Sequence, residues 1–309
     1  MPAIDPILQT VLEALPFQLT TDGGVEAARA RFRDLPRQPI LPEVSARDLV
    51  IDGTHGPVPI RVYTPPTAAN TTLPVVLFFH GGGFAVGDLD SYDGTARQHA
   101  VGADAVVVSV DYRLAPEHPH PAAVQDAWTA TTWVADHAAE LGADPSRLAV
   151  AGDSAGGNLA AVMAQLTRDE NGPAIAFQLL WYPTVMWDST LPSMTENAEA
   201  PILDLRAIAE LSAWYAGDID PADAPTTMVP GRAANLSDLA PAYIAVAGHD
   251  PLRDDGIRYA ELLAAAGVPV TLDHAETLVH GYLGYAGIVP ATTEAMERGL
   301  SALRAALHP

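Results

Sequence analysis

A serine set between glycines, an aspartate before a proline and a histidine before a glycine are the residues of this chain whose types and order could do covalent chemistry. The serine is Ser154, within Gly152-Asp153-Ser154-Ala155-Gly156-Gly157. A strand-like run at 147–151 precedes it and an alanine-rich, helix-like run at 158–167 follows. That order describes a nucleophile elbow, a tight strand-to-helix turn in which a Cβ at either flanking glycine would strike the neighbouring element. The turn also places the hydroxyl at the positive end of a helix, so its oxygen and the adjacent backbone N–H groups face one pocket.

A serine hydroxyl needs a base, and the base needs an acid to orient it. Ten histidines compete for the first role. His118 and His120 lie in a proline-locked loop, His308 is next to the C-terminus, and His249 should point away from its strand neighbour Asp250. His274, the runner-up, falls inside the last strand-like run, which makes it structural. His280 combines a position after that strand with a following glycine. Asp250 sits directly at a strand's end, whereas Asp254 and Asp255 read as N-cap and first-turn residues of the next helix. Asp250 is therefore the better acid and Asp254 the fallback. The order Ser154, Asp250, His280 is that of α/β-hydrolases. Upstream, His80-Gly81-Gly82-Gly83-Phe84 closes the apolar run 75–79. Its bare backbone N–H groups can turn inward to meet the negative oxygen of a tetrahedral intermediate.

Positioning these residues requires a sheet. Strand-like runs at 75–79, 105–110, 148–151, 176–180, 242–246 and 268–272 alternate with helical patterns at 94–101, 121–141, 158–167 and 254–266. Runs at 44–51 and 58–63 read as a hairpin that opens the sheet. Such alternation implies a mostly parallel sheet covered on both faces, with ligands gathered at the C-terminal strand ends. Two helices precede it, around 4–15 and 25–35, followed by a proline-punctuated linker at 36–42. One interval breaks the rhythm: after residue 182 the chain runs about sixty residues before the next strand, the length of a lid or binding insertion. The expected division is cap helices at 1–42, a core at 43–183 and 236–309, and a cap insertion at 184–235.

Together the runs at 80–84, 111–119, 152–158, 250–254 and 280–281 resemble the hormone-sensitive lipase-like carboxylesterases, also called bacterial family IV, over about residues 73–283. The resemblance implies an α/β-hydrolase fold with a mostly parallel eight-stranded sheet and a helical cap. It implies that Gly82, Gly83 and Ala155 supply oxyanion N–H groups, that His80, beside Gly81, shapes the glycine loop, and that Arg113 and Glu117 form a buried ion pair or network behind the site. Residues 226–234 match no family run. The implied activity is hydrolysis of short- to medium-chain carboxylic esters through an acyl-enzyme on Ser154, with no metal or organic cofactor. Amide or deacetylase chemistry would use the same triad. A receptor on a dead hydrolase scaffold typically loses a triad member, and all three are present here.

Composition narrows the classes further. The 309 residues carry a formal charge of −22, which repels phosphate backbones and anionic lipid, so neither nucleic acid nor a membrane surface is an expected partner. There is no cysteine, hence no disulfide and no thiolate nucleophile or metal ligand. There is also no lysine, which removes Schiff-base chemistry and the Ser-Lys dyad. The first residues carry no basic n-region, and no apolar run approaches the ~20 residues of a membrane span. A soluble, cytoplasmic monomer or homodimer acting on a small-molecule ester is the expectation.

Overall fold

The computed structural model describes residues 2–35, 41–70 and 72–308, so residues 36–40 of the proline-punctuated linker lie outside the described residues. Helix α1, Pro6–Ala14, starts where the Asp5 carboxylate accepts from the N–H groups of Ile7 and Leu8, with a proline in the first turn. Helix α2 is Val25–Arg33. Strands β1, Ser45–Ile51, and β2, Val58–Thr64, form the antiparallel hairpin expected at the sheet's edge. Thereafter strands and helices alternate: β3 Leu73–Phe79, α3 Asp93–Ala103, β4 Val106–Val110, α4 Ala122–His137, β5 Ala143–Asp153, α5 Ala155–Asp169 and β6 Phe177–Trp181. The insertion holds α6, Pro192–Glu196, and α7, Leu205–Ala216. The chain ends with β7 Ala242–His249, α8 Arg253–Ala265, β8 Val270–Val279 and α9 Pro290–Leu307.

The eight strands form one sheet in the order β1-β2-β4-β3-β5-β6-β7-β8. From β4 through β8 every neighbouring pair is parallel. Alternation along β3 explains the layering, because successive side chains face opposite sides of a strand. Val75, Leu77 and Phe79 join one apolar core with α4, α5 and α8. Val76 and Phe78 join a second with α1, α3 and α9. A third, smaller cluster links Leu19 and Ala28 of the N-terminal segment to Met194, Ala207 and Leu211 of the insertion, over Ala85 and Val86.

Three differences from the sequence reading have physical reasons. First, α9 has no counterpart there, although Ala295, Met296, Leu300, Leu303 and Leu307 recur at helical spacing and fill the second core. Gly299 lets this helix approach β6 closely, since a Cβ there would enter the Trp181 ring. Second, residues 226–234, within the stretch expected as a cap, pack against α5 and the main core. Met228 and Val229 are fully buried in the main core, and Asn158 and Gln165 of α5 donate to the carbonyls of Met228 and Pro230. Third, Arg113 and Glu117 do not pair. Arg113 grips the buried Asp126 of α4 through Nε and Nη2 at 2.9 Å, while Glu117, half-exposed, binds Arg29 of α2. Asp126 also accepts from the Arg113 N–H at 2.8 Å, so removing it takes the guanidinium's carboxylate partner and leaves a backbone donor without its acceptor. Asp126→Ala is expected to lower stability by about 3 kcal/mol, the cost of breaking a buried pair, whereas Glu117→Ala should stay within about 1 kcal/mol. Urea unfolding of the two variants measures the contrast.

Candidate active site

The parallel register builds the site. Phe79 pairs with Gly152, Asp153 with Trp181, and His249 with Val279. Five strands therefore end along one line, and the residues that follow leave the sheet side by side: the glycine turn after β3, Ser154 after β5, Tyr182 after β6, Asp250 after β7 and His280 after β8. A register shift between Ala247 and His249 brings the last two level.

Ser154 adopts φ 54° and ψ −116°, a backbone conformation that costs a residue with a Cβ on the order of 1–3 kcal/mol. Its neighbours hold it there. The Ser154 N–H donates to the Trp181 carbonyl at 2.8 Å, and a Cβ at Gly156 would meet the Phe79 carbonyl oxygen, so the turn closes only with glycine. Helix α5 begins at the next residue, Ala155, whose N–H belongs to the first turn and lacks an intrahelical partner.

The Ser154 hydroxyl oxygen lies 3.0 Å from His280 Nε2, and His280 Nδ1 lies 2.7 Å from Asp250 Oδ2. A carboxylate only accepts, so Nδ1 donates to it and Nε2 is left to accept from the serine hydroxyl. Asp250 is fully buried, and its other oxygen accepts from the Leu252 N–H at 2.8 Å. Asp254, the fallback acid, is turned away toward the Ser193 N–H and Arg253. Among the competing histidines, His249 bonds the Pro2 carbonyl, His120 the Thr227 hydroxyl and His308 the Ala103 carbonyl; His274 is exposed on β8.

The glycine turn sits beside the serine. Gly82 and Gly83 have φ of 107° and 60°, and among the described residues their N–H groups donate to no protein acceptor. Gly83 and Ser154 line one pocket, with Leu203, Ile208, Leu211 and Trp187 as apolar walls. His80 lies buried beneath the turn, its ring stacked on Tyr112 at 4.3 Å and its Nδ1 2.7 Å from the Gly81 carbonyl oxygen. Burial pushes its imidazole down to about 4, so it is neutral near pH 7.

Several participants escaped the sequence reading. Asp153 accepts from the Gly81 N–H at 2.8 Å and from the Tyr92 hydroxyl at 3.1 Å, tying the elbow to the glycine turn; burial raises its carboxyl to about 6. Its place inside the Gly-x-Ser-x-Gly run was the available signal. Asn197 donates to the Asp250 carbonyl and the Ser193 hydroxyl to that of Pro251, so the insertion clamps the acid's loop; no local pattern marks either. Asp255 is wholly buried in the first turn of α8 and accepts from the N–H groups of Val185 and Met186, where the insertion leaves the sheet.

Residues 76–284 match the protein family described as alpha/beta hydrolase fold. The chain belongs to that family, among its hormone-sensitive lipase-like members. It is 67% identical to esterase LipI of Mycobacterium tuberculosis over 308 residues, covering 99% of this chain and 96% of the relative. It is 57% identical to carboxylesterase NlhH of the same organism over 313 residues, covering 99% and 97%. The crystal structure of DphMB1 superposes with a TM-score of 0.96 at 65% identity, covering 99% of this chain and 100% of that one.

Burial raises the Asp255 carboxyl from its ordinary 3.8 to about 7. The folded chain thus holds a proton that the unfolded chain has released, a contribution fully present below 3.8 and lost as pH rises through about 7. Removing the titration should shift the difference in melting temperature between Asp255→Asn and wild type in the variant's favour from about pH 5 to about pH 8. A pH-independent difference would contradict the assignment.

Proposed function

We propose that this chain hydrolyses short- to medium-chain carboxylic esters by two-step acyl transfer on Ser154. That it is a carboxylic ester hydrolase follows from its near full-length identity to proteins named esterase and carboxylesterase. The observation that carries the proposed mechanism is the continuous chain from Ser154 Oγ through the His280 ring to Asp250, at 3.0 and 2.7 Å. In it, His280 Nε2 takes the serine proton as Oγ attacks the ester carbonyl. Asp250 orients the ring and stabilises the imidazolium. The proton then passes to the departing alkoxide, and water, deprotonated by the same nitrogen, cleaves the acyl-enzyme. The N–H groups of Gly82, Gly83 and Ala155 hold the negative oxygen in both steps.

The pocket above Ser154 is walled by Leu203, Ile208, Leu211 and Trp187, an apolar lining that suits a modest uncharged acyl group. The described residues of 1–42, together with 184–235, act as the cap over it. A charge of −22 goes with a small neutral ester as partner and with no nucleic acid. Among the described residues no helix is long and apolar enough to cross a membrane. A cytoplasmic monomer or homodimer completes the proposal.

The test is hydrolysis of p-nitrophenyl esters of increasing chain length. The expected result is a maximum at short to medium chains and a loss of about 10⁴-fold or more in kcat for Ser154→Ala. Equal activity in the two proteins would end the mechanism. Turnover of anilides in preference to the matching esters would favour amide chemistry on the same groups.

A further inference from the structure

The side chain freed from the expected Arg113–Glu117 pair leads to a residue outside the catalytic core. Arg29 of α2 uses all three guanidinium nitrogens. Nε donates to the Ala85 carbonyl at 2.9 Å, Nη2 to the Ala115 carbonyl at 3.0 Å and to Glu117 at 2.7 Å, and Nη1 to the other Glu117 oxygen at 2.9 Å. Its side chain is only 16% exposed.

Ala85 belongs to the turn that carries Gly82 and Gly83. The Ala85 N–H donates to the Gly82 carbonyl at 3.1 Å, and the preceding carbonyl, of Phe84, accepts from the Ala115 N–H at 2.8 Å. Arg29 and Ala115 therefore occupy two consecutive carbonyls of the turn, and Arg29 binds Ala115 as well. Among the described residues, no other side chain donates to a carbonyl of residues 82–86. On the opposite side the insertion holds the same turn, with the Phe84 ring stacked 3.7 Å from that of Tyr215. The Ala85 carbonyl shares its peptide plane with the Val86 N–H, which donates to the Gly82 carbonyl at 3.0 Å, and that carbonyl shares its own plane with the Gly83 N–H, so holding the first plane holds the direction of that N–H.

We propose that Arg29 is a positioning residue for the oxyanion turn. The N-terminal helix thereby takes part in turnover although it touches no reacting atom. The proposal rests on the reading of Gly82 and Gly83 as oxyanion donors. Arginine suits the task because its rigid planar fork binds two carbonyls and both oxygens of a carboxylate at once, four bonds where an ammonium has three donors. Glu117 orients the fork.

The experiment compares Arg29→Met, Arg29→Lys and Ser154→Ala in the full chain, using p-nitrophenyl butyrate and a trifluoromethyl ketone, whose serine adduct carries the same negative oxygen. Since one oxyanion donor is worth about 10²–10³ in kcat, tilting the pair without removing it should cost Arg29→Met about tenfold, with KM within about twofold. Inhibition by the ketone should weaken by the same factor. Added methylguanidinium should restore part of kcat, and Arg29→Lys should fall between wild type and Arg29→Met. Unchanged kcat, a loss confined to KM, or a lower kcat with undiminished ketone affinity would overturn the proposal. If Arg29→Met fails to fold, Arg29→Lys supplies the same comparison. An active Ser154→Ala would instead sink the reading of the site, whereas an inactive Ser154→Ala beside a fully active Arg29→Met sinks the positioning role alone.

Discussion

The structure depends on one strained residue. Ser154 has a side chain yet sits at positive φ, between a strand and a helix that approach too closely for any Cβ at Gly152, while a Cβ at Gly156 would strike β3. Relaxing it would move the hydroxyl away from His280, and it cannot relax because its N–H is bonded to β6 and the carbonyl of Phe79 lies against the next turn of α5. Burial on both faces of a parallel sheet supplies free energy far in excess of the few kcal/mol stored there. The hydroxyl's direction is thus a property of β3, β5, β6 and α5 together, and the local sequence matters because only glycine lets them meet.

Around that point the fold works by alignment of ends. Parallel strands in register terminate together, so functional groups separated by up to two hundred residues need no long reach to meet. Each is then fastened from behind by a buried polar partner: Asp153 for the glycine turn, Leu252 N–H for Asp250, and Asp250 for the imidazole. These partners make the interior around the site unusually dependent on polar satisfaction, since every one is removed from water.

The legible part of the sequence follows from this geometry. Ser154 and Asp250 could be named because each stands where an apolar run stops, and a strand's end is a local signal; His280 was reached by elimination among the histidines and by the glycine that follows it. The eight strands were legible for the same reason, although β8 runs to Val279 where its mixed polar pattern hides it. Pairings made by docking were not legible. Arg113 and Glu117 lie four apart in an irregular loop, so no helical spacing joins them, and each reaches the element that happens to cover it, α4 in one case and α2 in the other. Asn197 and Arg29 belong to the same class: polar side chains whose partners are backbone carbonyls far along the chain.

The stretch between β6 and β7 is two things in succession. Its first half, with α6 and α7, rises over the site; its second, from Met228 onward, descends along α5 to bring the chain back to the opposite end of the sheet, as a parallel neighbour demands. The lower half is the staircase by which β7, and with it Asp250, is reached, whereas the apolar side chains that the insertion turns toward the serine, Trp187, Leu203, Ile208 and Leu211, all stand on the upper half, so what the enzyme admits can be rewritten there without unseating the acid.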